Sequence, residues 1–194
     1  MELTILKLLH IYSKQLSTKR TSSNAGFSLI ELVVIVLILG ILSAIVAPGW
    51  NAFITRQRIR TVNSQVLQAL QKAQSQAKLK KEEGNVEFNT TVDPPTVIVN
   101  SIEQQLNANG EIKAGMVALV VKECETKDAD GNCTSYKDDA DDQIQFNYLG
   151  AIDDPIQELP FAVSVSTPDD GLKRCVIIQT LLGGMRTAEG ADCP

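Results

Sequence analysis

Histidine is almost missing from this 194-residue chain: its one copy, His10, lies near the N-terminus. A chain shortened from that end keeps no histidine for a catalytic triad, a proton shuttle or an imidazole-bound metal. Aromatic residues are also scarce, at 5%, and there are only 12 glycines and 7 prolines. With 44% hydrophobic residues, that poverty of Gly and Pro excludes collagen-like, low-complexity and wholly disordered chains. Long apolar runs are absent except for one, residues 32–55, so a polytopic membrane protein is excluded as well. The length suits one domain with an appendage.

What charge there is lies unevenly. The net value of −5 divides into +3 for residues 1–26, +6 for residues 27–81 and −14 for residues 82–194. A basic rod therefore leads into an acidic head. A strongly acidic head repels phosphates at long range, which argues against nucleic acid as its main ligand, and solubility is a sufficient use for that charge.

Residues 32–55 form an uncharged stretch of 24 positions. As a helix it would extend about 36 Å, enough to cross a bilayer core. It is apolar on all sides, as expected for a helix in lipid or in a fully buried bundle. A secretory signal places its small cleavage-site residues after the apolar run; here Ala25-Gly26 come before it, so a cut there leaves the apolar helix on the mature chain. Glu31 then sits five residues into the otherwise apolar segment that such a cut leaves. A carboxylate at that depth is costly unless paired, which makes it a functional candidate. Basic residues flank the run almost equally, four before it and three (Arg56, Arg58, Arg60) after it. Orientation is therefore read from the cysteines: all four are in the head, which is placed outside the cytoplasm.

Gly26-Phe27-Ser28-Leu29-Ile30-Glu31-Leu32-Val33-Val34 resembles the class III leader of type IV prepilins and type II secretion pseudopilins. The resemblance covers about the first third of the chain and includes Gly40, Pro48 and the Arg-rich turn beyond. It implies cleavage between Gly26 and Phe27 by a prepilin peptidase, which would also methylate the new Phe27 amine. S-adenosylmethionine would be used by that enzyme only, and the chain itself needs no cofactor. It further implies that Glu31 and Phe27 guide assembly with other pilin or pseudopilin subunits on an inner-membrane platform. The location implied is the bacterial inner membrane, single-pass with an extracytoplasmic head, then a pilus or a periplasmic pseudopilus. The chemistry agrees: a freshly exposed α-amine is cationic in neutral water, and a carboxylate in lipid needs a cation. Pro48 removes a backbone donor inside the helical pattern and is expected to kink it.

After Trp50 the pattern becomes amphipathic, with Ile59, Val62, Val66, Leu70, Ala73 and Ala77 at steps of three and four. Arg56 and Arg60 share a face and could meet anionic headgroups. Gly84 reads as the helix stop, giving one helix from Phe27 to about Glu83. Beyond it, strands are expected at 86–90, 96–100, 116–122, 143–148, 161–166 and 174–179, with turn signals between them. The fold class expected is α+β, a long N-terminal helix whose second half packs on an antiparallel sheet. The organisation expected is leader 1–26, transmembrane and assembly half 27–55, amphipathic half 56–84 and disulfide-containing head 85–194.

The closing stretch, from Phe146-Asn147-Tyr148 through Gly183-Gly184-Met185-Arg186, resembles H-type pseudopilins and FimT-type minor pilins. DNA-binding members of the latter carry two Arg around a Gly; here Gly184 stands at the first position and only Arg186 matches. Lys173, Arg174 and Arg186 are thus a thin set of candidate DNA contacts. Four cysteines allow three pairings. Cys124–Cys133, closing a local loop, and Cys175–Cys193, tying down the tail, are preferred; a four-Cys zinc site lacks its close CxxC pairs. Asp128, Asp130 and Asn132 around Gly131 are a fragment of a calcium loop, with Asp138-Asp139 and Asp141-Asp142 nearby, but the closing Glu is missing. A solvated acidic loop accounts for them, and no metal is assigned. The leading function is a structural filament subunit, a minor pilin or pseudopilin. The alternative is a DNA-capturing minor pilin. A membrane-anchored enzyme is weakest: Asp153-Asp154 and Asp169-Asp170 are adjacent pairs better explained as turns than as catalytic dyads.

Overall fold

The computed structural model describes residues 26–129, 133–138, 142–152, 159–169 and 171–194. The side chains of residues 46–48 fall outside that description. The fold is α+β: helix α1 (Leu29–Lys80) is followed by nine strands in two antiparallel sheets. The chain divides into two compact units, one ending at Val46 and one running Ala47–Pro194.

Helix α1 starts on a cap. The Glu31 N–H donates to Ser28 Oγ at 3.2 Å, and the Leu32 N–H donates to the Ser28 carbonyl. Ser28 with Glu31 three residues on has the spacing of a capping box, which satisfies amides that have no partner in the first turn. In the second unit the helix buries one stripe: Ile59, Val62, Val66, Leu70, Ala73 and Ala77 are all within 2% of complete burial. Alanine at the last two positions lets a sheet approach the helix axis closely.

The first sheet has the order β3-β2-β1-β6, built from β1 (Gly84–Asn89), β2 (Thr96–Val99), β3 (Ile102–Gln105) and β6 (Gln143–Phe146). The second is β5-β4-β7-β8-β9, built from β4 (Ala118–Lys127), β5 (Cys133–Lys137), β7 (Phe161–Ser166), β8 (Lys173–Ile178) and β9 (Met185–Glu189). Alternate residues of both sheets, among them Val86, Phe88, Ile144, Phe146, Val121, Phe161, Val163 and Val176, form one core with the helix stripe. The reverse face of the second sheet carries a smaller cluster of Ala162, Cys175 and Ile177, covered by Ala188 and Cys193. β7, central in that sheet, is therefore buried along its whole length.

Several sequence expectations need correction. The helix is shorter at both ends than 27–83. It stops at Lys80, and Lys81 takes the left-handed conformation (φ 57°) that Gly84 was expected to supply. Gly84 instead opens β1, where it faces the helix: a Cβ there would lie 2.7 Å from the Ala73 carbonyl oxygen. Its lack of a side chain serves close packing. Strands β3, β5 and β9 went unforeseen, and all three are edge strands. β4 runs on to Lys127, beyond 122, because Glu123, Cys124, Thr126 and Lys127 pair with β5.

Candidate functional site

The N-terminal site is a contiguous one. Gly26, Phe27 and Glu31 are all exposed, as is every residue from 26 to 45. Phe27 lies just before the Ser28 cap, so a new N-terminus at Phe27 would begin at the mouth of the helix. Among the described residues Glu31 forms no ion pair. A carboxylate in the first helical turn interacts favourably with the helix dipole, but among the described residues it has no cationic partner. The arrangement leaves both the Gly26–Phe27 peptide bond and the Glu31 carboxylate exposed. Ser28 was overlooked as a functional residue; its signal was the Ser-x-x-Glu spacing ahead of an apolar run.

The span was expected to be one helix kinked at Pro48. Divided at residues 46–48, neither Leu29–Ile45 nor Gly49–Lys80 is by itself long and apolar enough to cross a membrane, while the two together meet the requirement by length and composition. The first piece would reach only about 25 Å, short of a hydrocarbon core of about 30 Å. Pro48 falls within that division, in the part of the helix whose side chains are not described.

In the head, disulfides join Cys124 to Cys133 and Cys175 to Cys193, each with a Cα–Cα distance of 5.7 Å. There is no free cysteine, so the zinc alternative has no ligands. The first bridge closes the β4–β5 hairpin and the second fixes the C-terminal tail on the back of β8. Of the calcium candidates, Asp128 is described and exposed, whereas Asp130 and Asn132 lie outside the described residues, as do Asp139, Asp141, Asp153, Asp154 and Asp170. Asp138 is bound to Lys122 at 3.0 Å. Among the described residues no group of three His, Cys, Asp or Glu side chains is placed to hold a metal.

The candidate DNA contacts do not form one cluster: Lys173 and Arg174 line one groove, and Arg186 does not. Arg174 is paired across the strands with Glu189, and Ile177 with Arg186. Paired residues share a face and successive residues alternate, so Arg174 and Arg186 project from opposite faces of the sheet. Arg174 is further engaged in a salt bridge with Glu189. Arg186 acts instead on Tyr136: burial pushes that phenol above its ordinary value of 10.0, and the nearby guanidinium partly offsets the rise.

Residues 21–47 match the family described as the prokaryotic N-terminal methylation motif. This is the prepilin-type class III leader, the N-terminal signature of type IV pilins and pseudopilins. No curated protein and no solved structure matches the chain.

Proposed function

We propose that the chain is the precursor of a structural filament subunit, a minor pilin or pseudopilin of a type IV pilus or a type II secretion system. The observation that carries this reading is the order of features around the leader. A peptide bond at Gly26–Phe27 is followed by a Ser28-capped helix, by Glu31 in its first turn and by an exposed apolar face without a core to cover it. Such a face needs lipid before assembly and neighbouring helices after it. Hydrolysis at Gly26–Phe27 by a prepilin peptidase frees an α-amine. Monomethylation from S-adenosylmethionine leaves that amine basic. The Glu31 carboxylate of one subunit then pairs with the Phe27 ammonium of another. In a low-dielectric filament core each charge alone pays a desolvation cost that the pair largely offsets, so the contact fixes axial register between subunits.

Intact-mass and N-terminal sequencing of the native protein from its own membranes test this reading. The expected product begins at methylated Phe27 and co-purifies with sheared filaments. A chain that keeps Met1 in cells with an active prepilin peptidase would overturn it.

A further inference from the structure

The second unit contains a groove of about 510 Å³ between α1 and the β8–β9 hairpin. Its walls bring together Arg56 and Arg60 from the helix with Lys173 and Arg174 from the start of β8, more than a hundred positions later. Among the described residues Glu189, paired with Arg174, is the one acidic group lining it. Arg56, Arg60 and Lys173 form no ion pair among the described residues. An anion entering the groove would meet three cations that have no other ion-pair partner among the described residues. The groove is also partly apolar: Phe53 is 57% exposed and Leu172 is 36% exposed at its rim. One turn before, Trp50 packs on Phe53 with ring centroids 6.0 Å apart.

We propose that this groove binds the phosphate headgroup of an anionic phospholipid. The inference rests on the membrane-embedded helix of the preceding reading. If the uncharged run 32–55 spans the bilayer, Arg56, the first charge beyond it, and Arg60, one turn on, emerge at headgroup depth. Trp50 and Phe53 then occupy the level where aromatic side chains gather at bilayer interfaces. A groove of this size takes a single headgroup. The surrounding head, with −14 over residues 82–194, repels an extended polyanion but leaves this local basic site accessible to a lipid already in the membrane. Lys173 distinguishes a built site from a merely basic helix: it reaches the same groove from the far end of the chain.

The full chain is first floated with vesicles of pure phosphatidylcholine. Failure to float would overturn the membrane reading itself. Chain purified in neutral detergent is then given phosphatidylglycerol or phosphatidylcholine, and retained lipid is counted by native mass spectrometry, with the emission of Trp50, the sole tryptophan, as a second readout. Preferential retention of phosphatidylglycerol is expected. It should fall about fivefold in each of Arg56→Gln, Arg60→Gln and Lys173→Gln. Arg58→Gln, which removes an equal charge from a helix position that does not line the groove, should behave as wild type. Thermal melting in each variant confirms that the head remains folded. Flotation without any preference for phosphatidylglycerol would overturn the headgroup site, as would an Arg58→Gln loss equal to that of Arg56→Gln, or an unaffected Lys173→Gln. Displacement of the lipid by equimolar inorganic phosphate would assign the groove to a free anion and equally overturn it.

Discussion

The two stretches of α1 share a secondary structure and differ in what they do with apolar side chains. From residue 26 to 45 every position is exposed, although most are Leu, Ile or Val. From Ile59 to Ala77 a single stripe is buried almost completely, and polar residues fill the other faces. The second stretch is explained by the monomer: two sheets cover it. Among the described residues nothing covers the first. Apolar surface on that scale is what the proposed filament role calls for, with lipid or other helices as its cover.

The largest expected effect lies in the exposed half. Glu31→Gln preserves the Ser-x-x-Glu/Gln capping pattern while deleting the charge. Processing should continue, but incorporation into sheared filaments, measured by immunoblot, should fall about 100-fold or more, the scale of an unpaired buried ion. Normal incorporation would show that the two stretches differ only in hydrophobicity. Next in size is a matched pair of truncations. Leu70→Ala in the buried stripe should destabilise the head by about 2–5 kcal/mol in denaturant melts. Leu39→Ala should leave the same melt within about 0.5 kcal/mol; a large shift there would mean that the apolar run has a cover within the monomer.

Removing either disulfide sharpens the picture of the second unit. Loop-closure entropy predicts a loss of about 2–4 kcal/mol, larger for the bridge that spans 18 residues (Cys175–Cys193) than for the one that spans 9 (Cys124–Cys133). Serine pairs compared by melting temperature check the order. Gly84→Ala tests the close approach of β1 to the helix. A Cβ 2.7 Å from the Ala73 carbonyl oxygen should cost about 1–3 kcal/mol, since backbone must shift. The smallest effect concerns Tyr136. Its folded pKa is raised above the unfolded value, so its contribution to stability is complete below pH 10.0. That contribution should fade as pH rises through the folded pKa. Ultraviolet titration of the phenol should show the raised midpoint, and Arg186→Gln should raise it further.

Much of the fold was legible where a pattern is local. The helix stripe was read residue by residue, since a 3.6-residue period needs no knowledge of tertiary contacts. Strand β7 was placed correctly at both ends because it is central and apolar throughout. The edge strands β3, β5 and β9 were illegible for the opposite reason. An edge pairs on one side only and carries polar residues that blunt aggregation, as in Ile102-Glu103-Gln104-Gln105, exposed at all four positions. Lys173, Arg174 and Arg186 are already a thin set along the chain, and the hairpin register further separates Arg174 from Arg186 by the thickness of a sheet.

By itself the sequence determined the leader motif, the candidate processing site and assembly charge, and the division of the helix into a lipid-like and an amphipathic half. Each depends on spacing along one short segment, where covalent geometry alone decides which groups are neighbours. Only the tertiary structure decided that Gly84 is a packing contact, that Arg174 is paired with Glu189, and that Lys173 joins Arg56 and Arg60 around one groove. Those facts depend on strand register and on how a sheet lies against a helix, which emerge from the packing of the whole core.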